Sequence, residues 1–254
     1  MNNFISFSDL GNHGRLGNQM FQVAAAACLA KSKNLDLVLP ASLIRSCFNI
    51  PCVDYNYEHS QHKKYEWIEK SYSYDSSFNH ISHNTNIKGY FQSWKYITNE
   101  IYVRQLFDFL PRSKEVAHDR LKNKKTIGIH VRRGDYLANL NTHPLPGIEY
   151  LKNAIDVIKK KDGAVHQIII ITDDKSWCEN NFKDIEIFSS DPIDDMCTMS
   201  MCDHHIIANS SFSWWAAWLG KKEGQIVVAP RQWFGPQGPN FIENDLFPIS
   251  WILL

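Results

Sequence analysis

The chain alternates short continuous apolar runs with longer stretches in which apolar residues recur three and four positions apart, a strand–helix alternation. Residues 4–8 read as a first strand and 20–31 as a helix carrying Ala24, Ala25, Ala26 and Ala27, with 35–39 as the next strand, closed by Pro40. Residues 41–85 are rich in Tyr, Ser, Asn and His without a clear period, and predict loops and short elements. A strand over 87–94, with Gly89 inside it, and a helix over 98–107 follow. The polar, charged stretch 111–125 is the expected crossover between two domains.

The second half is sharper. Strands are expected over 126–131, 167–172, 185–188, 204–208 and, as the last core strand, 225–229, with helices over 148–161, 175–182, 194–201 and 212–219. Isoleucines fill 168–171, as in a parallel strand covered on both faces. No internal repeat or low-complexity tract interrupts the pattern, so two α/β halves are predicted.

With 254 residues the chain can bury sizeable cores in one domain or two. Lys+Arg and Asp+Glu both number 27, and this zero balance excludes the broad basic face of a dedicated nucleic-acid binder. It leaves room for a local basic pocket. The apolar run 16–30 is broken by Asn18, Gln19 and Gln22 and falls short of a membrane span. No basic segment followed by an apolar run marks export, so a cytoplasmic chain with reduced cysteines is expected, and any tie to a membrane would be peripheral. Cys197, Cys202, His204 and His205 carry metal-ligating chemistry but lack the paired knuckles of a zinc site. They are expected to be core residues, and no metal is expected.

Four polar clusters fall where strands run into helices, at 14–19, 130–136, 172–174 and 209–213. In parallel α/β folds such positions line one crevice, and the free N–H groups of helix starts favour anions there. The cluster His130-Val131-Arg132-Arg133-Gly134-Asp135-Tyr136 presents two adjacent guanidiniums, whose planar forks match phosphate oxygens. The same residues could form a solvated turn with a surface ion pair. Asp173 and Asp174 can either cap the helix that follows or reach a ligand. Trp214, Trp215 and Trp218 share a helix and read as core. There is no Walker A run, and Gly11, Gly14 and Gly17 lack the dinucleotide spacing. An anionic, nucleotide-bearing ligand is the expectation.

Five segments in order carry a family likeness. They are Gly14-Arg15-Leu16-Gly17-Asn18-Gln19-Met20-Phe21-Gln22, then Gly128-Ile129-His130-Val131-Arg132-Arg133-Gly134-Asp135-Tyr136, then Ile171-Thr172-Asp173-Asp174. Asp203-His204-His205-Ile206-Ile207-Ala208-Asn209-Ser210-Ser211-Phe212-Ser213-Trp214-Trp215 and Val228-Ala229-Pro230-Arg231-Gln232-Trp233-Phe234 complete the set. Over essentially the whole chain this resembles the α-1,2-fucosyltransferase family, glycosyltransferase family 11.

The resemblance implies a GT-B-like α/β fold of two Rossmann-like domains facing a cleft, an acceptor-side domain over 1–115 and a GDP-fucose-binding domain over 116–254. It implies that Arg132 or Arg133 contacts the β-phosphate leaving group, with His130 and Asp135 shaping the donor site. Asp173 and Asp195 fall where a donor contact is expected, Asp195 near the nucleoside. Ser210, Ser211 and the amide of Phe212 suit the diphosphate, and Asn18 suits the β-phosphate or fucose. The implied acceptor is a galactose-terminated oligosaccharide or glycolipid, with no metal cofactor. Asp135 is the motif's nearest carboxylate to a catalytic base, although it could equally orient an arginine or bind donor. Another nucleotide-sugar transferase on the same scaffold, or a silent sugar-nucleotide or glycan-binding module, remains open from the sequence.

Overall fold

The computed structural model describes residues 2–254, which divide into two α/β units, each on its own parallel sheet. The first unit runs to Asp108 and also takes in Asn240–Pro248; the second comprises Phe109–Pro239 and Ile249–Leu254.

In the first unit β1 (Phe4–Ser6), β2 (Asp36–Leu39), β3 (Val53–Asp54), β4 (Tyr65–Ile68) and β5 (Thr85–Lys88) lie in the order β3-β2-β1-β5-β4, every pair parallel. Helix α1 (Leu16–Ser32) packs on β1 and β2, and every residue from Leu16 to Ala30 except Asn18 is buried. A helix buried all round has no polar stripe, and its alanines let the backbone lie close to the sheet. Short helices α2 (Leu43–Cys47), α3 (Tyr57–His62) and α4 (Glu100–Leu106) complete the unit. β3 and β4 are the sheet's edges, where Val53, Tyr65 and Ile68 are exposed. An edge strand without a buried face writes no alternation into its sequence, which is why 41–85 shows no period. The strand expected over 87–94 is β5, ending earlier, because Gly89 (φ +154°) and Phe91 (φ +54°) turn the chain out of the sheet.

The second unit opens with α5 (Pro111–Leu121), whose Ala117 and Leu121 are buried. A helix begun by Pro111 therefore occupies the expected crossover, and the expected boundary at 115/116 falls inside it; the division lies at Asp108 and Phe109. Then come β6 (Thr126–Val131), α6 (Ile148–Asp162), β7 (Gln167–Thr172), α7 (Lys175–Asn181), β8 (Glu186–Phe188), α8 (Pro192–Met201), β9 (His204–Ile206), α9 (Ser211–Leu219), β10 (Val227–Ala229) and β11 (Ile252–Leu253), while α10 (Glu243–Leu246), between the last two in sequence, lies outside this unit. The sheet order is β11-β10-β9-β6-β7-β8, all parallel, so β11 adds a strand beyond the one expected to be last. Ile127, Ile129, Ile170, Ile206 and Val228 of the sheet pack with Leu151, Ala154 and Ile158 of α6.

Helix α10 belongs to the first unit, although it lies late in the chain. Asp245, buried there, accepts from Tyr74 N at 2.8 Å and pairs with Lys95 Nζ at 2.6 Å, while Ser93 Oγ donates to its carbonyl at 2.6 Å. The expectation of one unbroken domain over 116–254 missed this return, because long-range polar anchors leave no local pattern. Among the described residues, no helix is long and apolar enough to cross a membrane.

Candidate functional site

In the second unit, β6 ends at Val131, and Arg132 and Arg133 follow at the carboxyl edge of the sheet. β7, its parallel neighbour, ends in register at Thr172 and delivers Asp173 and Asp174 beside them. Arg132 pairs through one terminal amino group with Asp173 Oδ2 at 2.7 Å and through the other with Asp135 at 2.5 Å. The Arg133 backbone N–H donates to Asp173 Oδ1 at 2.8 Å, and its Nε donates to Asp174 Oδ2 at 3.0 Å. Its guanidinium lies over the Trp177 ring, 4.2 Å from the centroid.

Of the two alternatives for the aspartates, the capping role falls to Asp174, and both carboxylates also bond the arginines. Asp174 caps α7, accepting from Trp177 N at 3.1 Å, while Asp173 holds the arginines. Gly134 is required by this closeness: a Cβ there would stand 2.5 Å from Asp173 Oδ2.

The arginines are not equivalent. Arg132 has committed both terminal amino groups to carboxylates. Arg133 is fixed only through Nε and its backbone, so among the described residues both of its terminal amino groups lack a protein partner. Held from behind by Asp174 and backed by Trp177, they are pre-aligned for an anion at little entropic cost.

Tyr136 joins this cluster to α9. Its hydroxyl donates to the Asn209 carbonyl at 2.9 Å, and its ring stacks on His143 at 4.4 Å. Burial pushes that hydroxyl up to about 12, so it acts as a donor rather than a base. Asn209 Nδ2 donates to the carbonyls of Pro144 and Trp233 at 2.8 and 3.0 Å, which fixes the turn before the helix. Ser210 is the N-cap of α9 without using its side chain to cap, and Ser211 and Phe212 open the helix. Phe212 packs against His130 with ring centroids 5.1 Å apart. Burial, aided by Arg132, lowers the His130 imidazole to about 3, so it is neutral at physiological pH and supplies no positive charge.

The structure therefore gathers His130, Arg132, Arg133, Asp135, Asp173, Ser210, Ser211 and Phe212 at one edge of one sheet. Two expected residues lie elsewhere. Asn18 belongs to the first turn of α1 in the first unit, where its Oδ1 accepts from Gln92 Nε2 at 2.9 Å. Gly14 (φ +79°) stands against it with no room for a Cβ. Asp195 sits on α8, buried, and both its oxygens are committed. Oδ1 accepts from Arg120 at 2.9 Å and Ser190 Oγ at 2.8 Å, and Oδ2 accepts from Ser190 N at 2.9 Å. Its carboxylate therefore ties α5 to α8 through Arg120 and Ser190. Sequence reasoning missed Trp177, Tyr136 and Asn209 as supports, although the last two stand inside the motifs themselves.

The metal-type residues of α8 and β9 do not converge. Cys202 Sγ meets the Thr198 carbonyl, and the His205 ring lies between the Met199 carbonyl at 2.8 Å and Gln225 Nε2 at 3.1 Å. A different trio, Asp162, His166 and His204, brings ligand atoms within 4.8 Å of one another at the amino edge of the sheet. Lys125 Nζ lies 2.8 Å from the Asp162 carboxylate. His204 Nδ1 accepts from Ile226 N at 3.1 Å, which puts the neutral ring's proton on Nε2, facing Asp162. An ammonium and an N–H thus hold the directions a cation would need.

The sequence profile of Glycosyl transferase family 11 matches residues 5–254. A relative from Escherichia coli, O-antigen biosynthesis glycosyltransferase WbnK, is 29% identical over 95% of this chain and 98% of its own length. An Alpha-1,2-colitosyltransferase from Escherichia coli is 32% identical over 65% of this chain and 60% of its own length. Galactoside 2-alpha-L-fucosyltransferase SEC1 of Bos taurus is 26% identical over 81% of this chain and 62% of its own length. In fold, the chain is similar to POFUT1 in complex with GDP (TM-score 0.55, 12% identity, 99% of this chain and 98% of that one). It is also similar to NodZ alpha-1,6-fucosyltransferase (TM-score 0.52, 14% identity, 86% and 93%).

Proposed function

This chain belongs to glycosyl transferase family 11, and from that premise we propose that it is an inverting enzyme moving L-fucose from GDP-fucose to the 2-hydroxyl of a terminal galactoside, in surface-glycan or O-antigen synthesis. Its fold is of GT-B type, two α/β units with parallel sheets. The observation that carries the reading is the arginine pair at the carboxyl edge of the second sheet, with the terminal amino groups of Arg133 uncommitted.

Fucose is β-linked in GDP-fucose, so an α-linked product needs one displacement with inversion. The acceptor oxygen bonds to the anomeric carbon, the bond to the β-phosphate oxygen breaks, and its electron pair leaves with GDP. The hydroxyl proton must pass to a base. Negative charge grows on the departing diphosphate, and donors fixed in advance are what lowers that barrier. Arg133 supplies them through its terminal amino groups, and the first N–H groups of α9, at Ser211 and Phe212, add to the field. Arg132, spent on Asp173 and Asp135, acts as the brace. Asp135 is half-exposed and is the motif's nearest carboxylate to a base, although its pairing with Arg132 equally suits it to orient that arginine, while neutral His130 packs the floor. Asn18 is assigned to the fucosyl-phosphate end by the family likeness alone. With guanidiniums and amides carrying the charge, the reaction needs no metal. The site of action is the cytoplasm, with any membrane contact peripheral.

The test is GDP release by the purified chain given GDP-fucose in EDTA, with and without lactose. Lactose-stimulated release with a 2-linked fucosyl product is the expected result, whereas GDP binding without release to any galactoside overturns it. The similarity to a colitosyltransferase favours a second reading, in which the same site moves a nucleotide-activated colitose. Competition between the two donors separates them.

A further inference from the structure

A hollow of about 330 Å³ opens in the first unit beyond the carboxyl ends of β1, β4 and β5. Its lining is mixed in an ordered way. Tyr72 and Tyr90 stack at 5.1 Å with an interplanar angle of 26°, and His13 stands 6.4 Å from Tyr90. Between the rings and the strand ends lies Glu69. Its Oε2 accepts from the backbone N–H groups of Tyr90 and Phe91, at 2.7 and 2.9 Å. Its Oε1 has no protein partner among the described residues.

Gly89 makes this possible. Its φ of +154° is open to glycine, and a Cβ there would stand 2.5 Å from Glu69 Cβ. The chain thus gives up a side chain in order to seat a carboxylate against backbone amides, with one oxygen left over.

We propose that this hollow binds a neutral pyranose ring of the acceptor glycan, with Glu69 accepting ring hydroxyls and the Tyr72–Tyr90 pair covering the ring's apolar face. That the sugar is the acceptor rests on the transferase reading above; that the hollow suits a neutral sugar does not. Lys88 is already paired with Asp9 at 3.5 Å and Glu66 at 3.2 Å, and the other lysine of the lining, Lys70, is exposed, so an anionic ligand would meet the Glu69 and Asp9 carboxylates with one solvated ammonium to offset them. A purely apolar ligand would leave Glu69 Oε1 desolvated and without a donor. A polyol with one apolar face satisfies both halves of the lining, and the volume suits one or two sugar rings. Burial pushes the Glu69 carboxyl up to about 7 against the pull of the two amides, so it lacks hydration that hydroxyl donors can replace.

The test is ligand-observed NMR titration of the full chain with methyl β-D-galactopyranoside and lactose, alongside GDP binding by calorimetry. Wild-type protein, Glu69→Gln, Tyr72→Ala and Tyr72→Phe are compared. Glu69→Gln keeps an oxygen for the two amides but removes the anionic acceptor. Galactoside binding is expected to weaken about tenfold in Glu69→Gln and in Tyr72→Ala, and to survive in Tyr72→Phe, with GDP affinity unchanged in all. Galactoside binding unaltered in both Glu69→Gln and Tyr72→Ala overturns the inference. So does the absence of any galactoside binding by wild-type protein. Loss of sugar binding in these variants when even wild-type protein fails to bind GDP supports the hollow and overturns the donor reading instead.

Discussion

The two edges of the second sheet both carry charged clusters, and they differ in what their donors are doing. At the amino edge, Lys125, His166 and His204 all face one carboxylate, Asp162, and the Lys125 ammonium is the donor that hydrogen-bonds it. At the carboxyl edge, three aspartates share two arginines, yet Arg133 keeps its terminal amino groups uncommitted. Residue types that look alike thus serve opposite ends. One cluster closes the start of the strands, and the other holds a cation steady for something else. The inventory of charges does not separate them, whereas the Arg133 guanidinium, held through Nε with both terminal amino groups open, does.

Arg133→Ala tests that difference most severely. Transfer rate should fall ~10²–10³-fold with the melting temperature little changed. Arg133→Lys should not restore it, since an ammonium cannot keep both the Asp174 contact and a forked donor pair. A variant within a few-fold of wild type in a GDP-release assay would erase the contrast between the edges.

Arg120→Ala should do the reverse. It strips the buried Asp195 carboxylate of its cation, where side-chain exposures are 15% and 7%, and should cost about 3 kcal/mol of stability, read by denaturant unfolding. A loss of GDP affinity without a loss of stability would make Asp195 a donor-site residue rather than a structural anchor.

The pH response comes next. His130 and His205 are held at about 3 by burial, so between pH 6.5 and 3 the unfolded chain binds protons that the folded chain refuses. Stability from this source is complete above pH 6.5 and drains as pH falls. Melting temperature should drop from pH 7 to pH 5, and His205→Gln should flatten the slope. An equally steep slope in that variant would mean other groups carry the acid response.

The smallest effect expected is that of Asp162→Asn. Melting temperature should fall by a few degrees at most, with transfer activity preserved within about twofold, because surface-biased ion clusters contribute little. Depletion of activity together with a change in metal content would make the amino edge a site after all.

Much of this protein was written locally. The isoleucine run of β7 and the apolar run of β6 could only be buried parallel strands, and they appear residue for residue. The motif around Arg132 and Arg133 was visible because strand-to-helix turns are short and keep neighbours together. Tertiary structure alone decided what depends on contacts across the chain. It sent α10 back to the first unit through Asp245, and it spent Asp195 on Arg120. It also sorted the arginines into brace and donor through Asp173 and Asp174, forty residues away in the case of Asp173. The edge strands β3 and β4, exposed on their faces, left no period to read. Periodicity reports burial against a sheet or helix; it is silent about which charge a folded neighbour will claim, because that choice is made by distance in space.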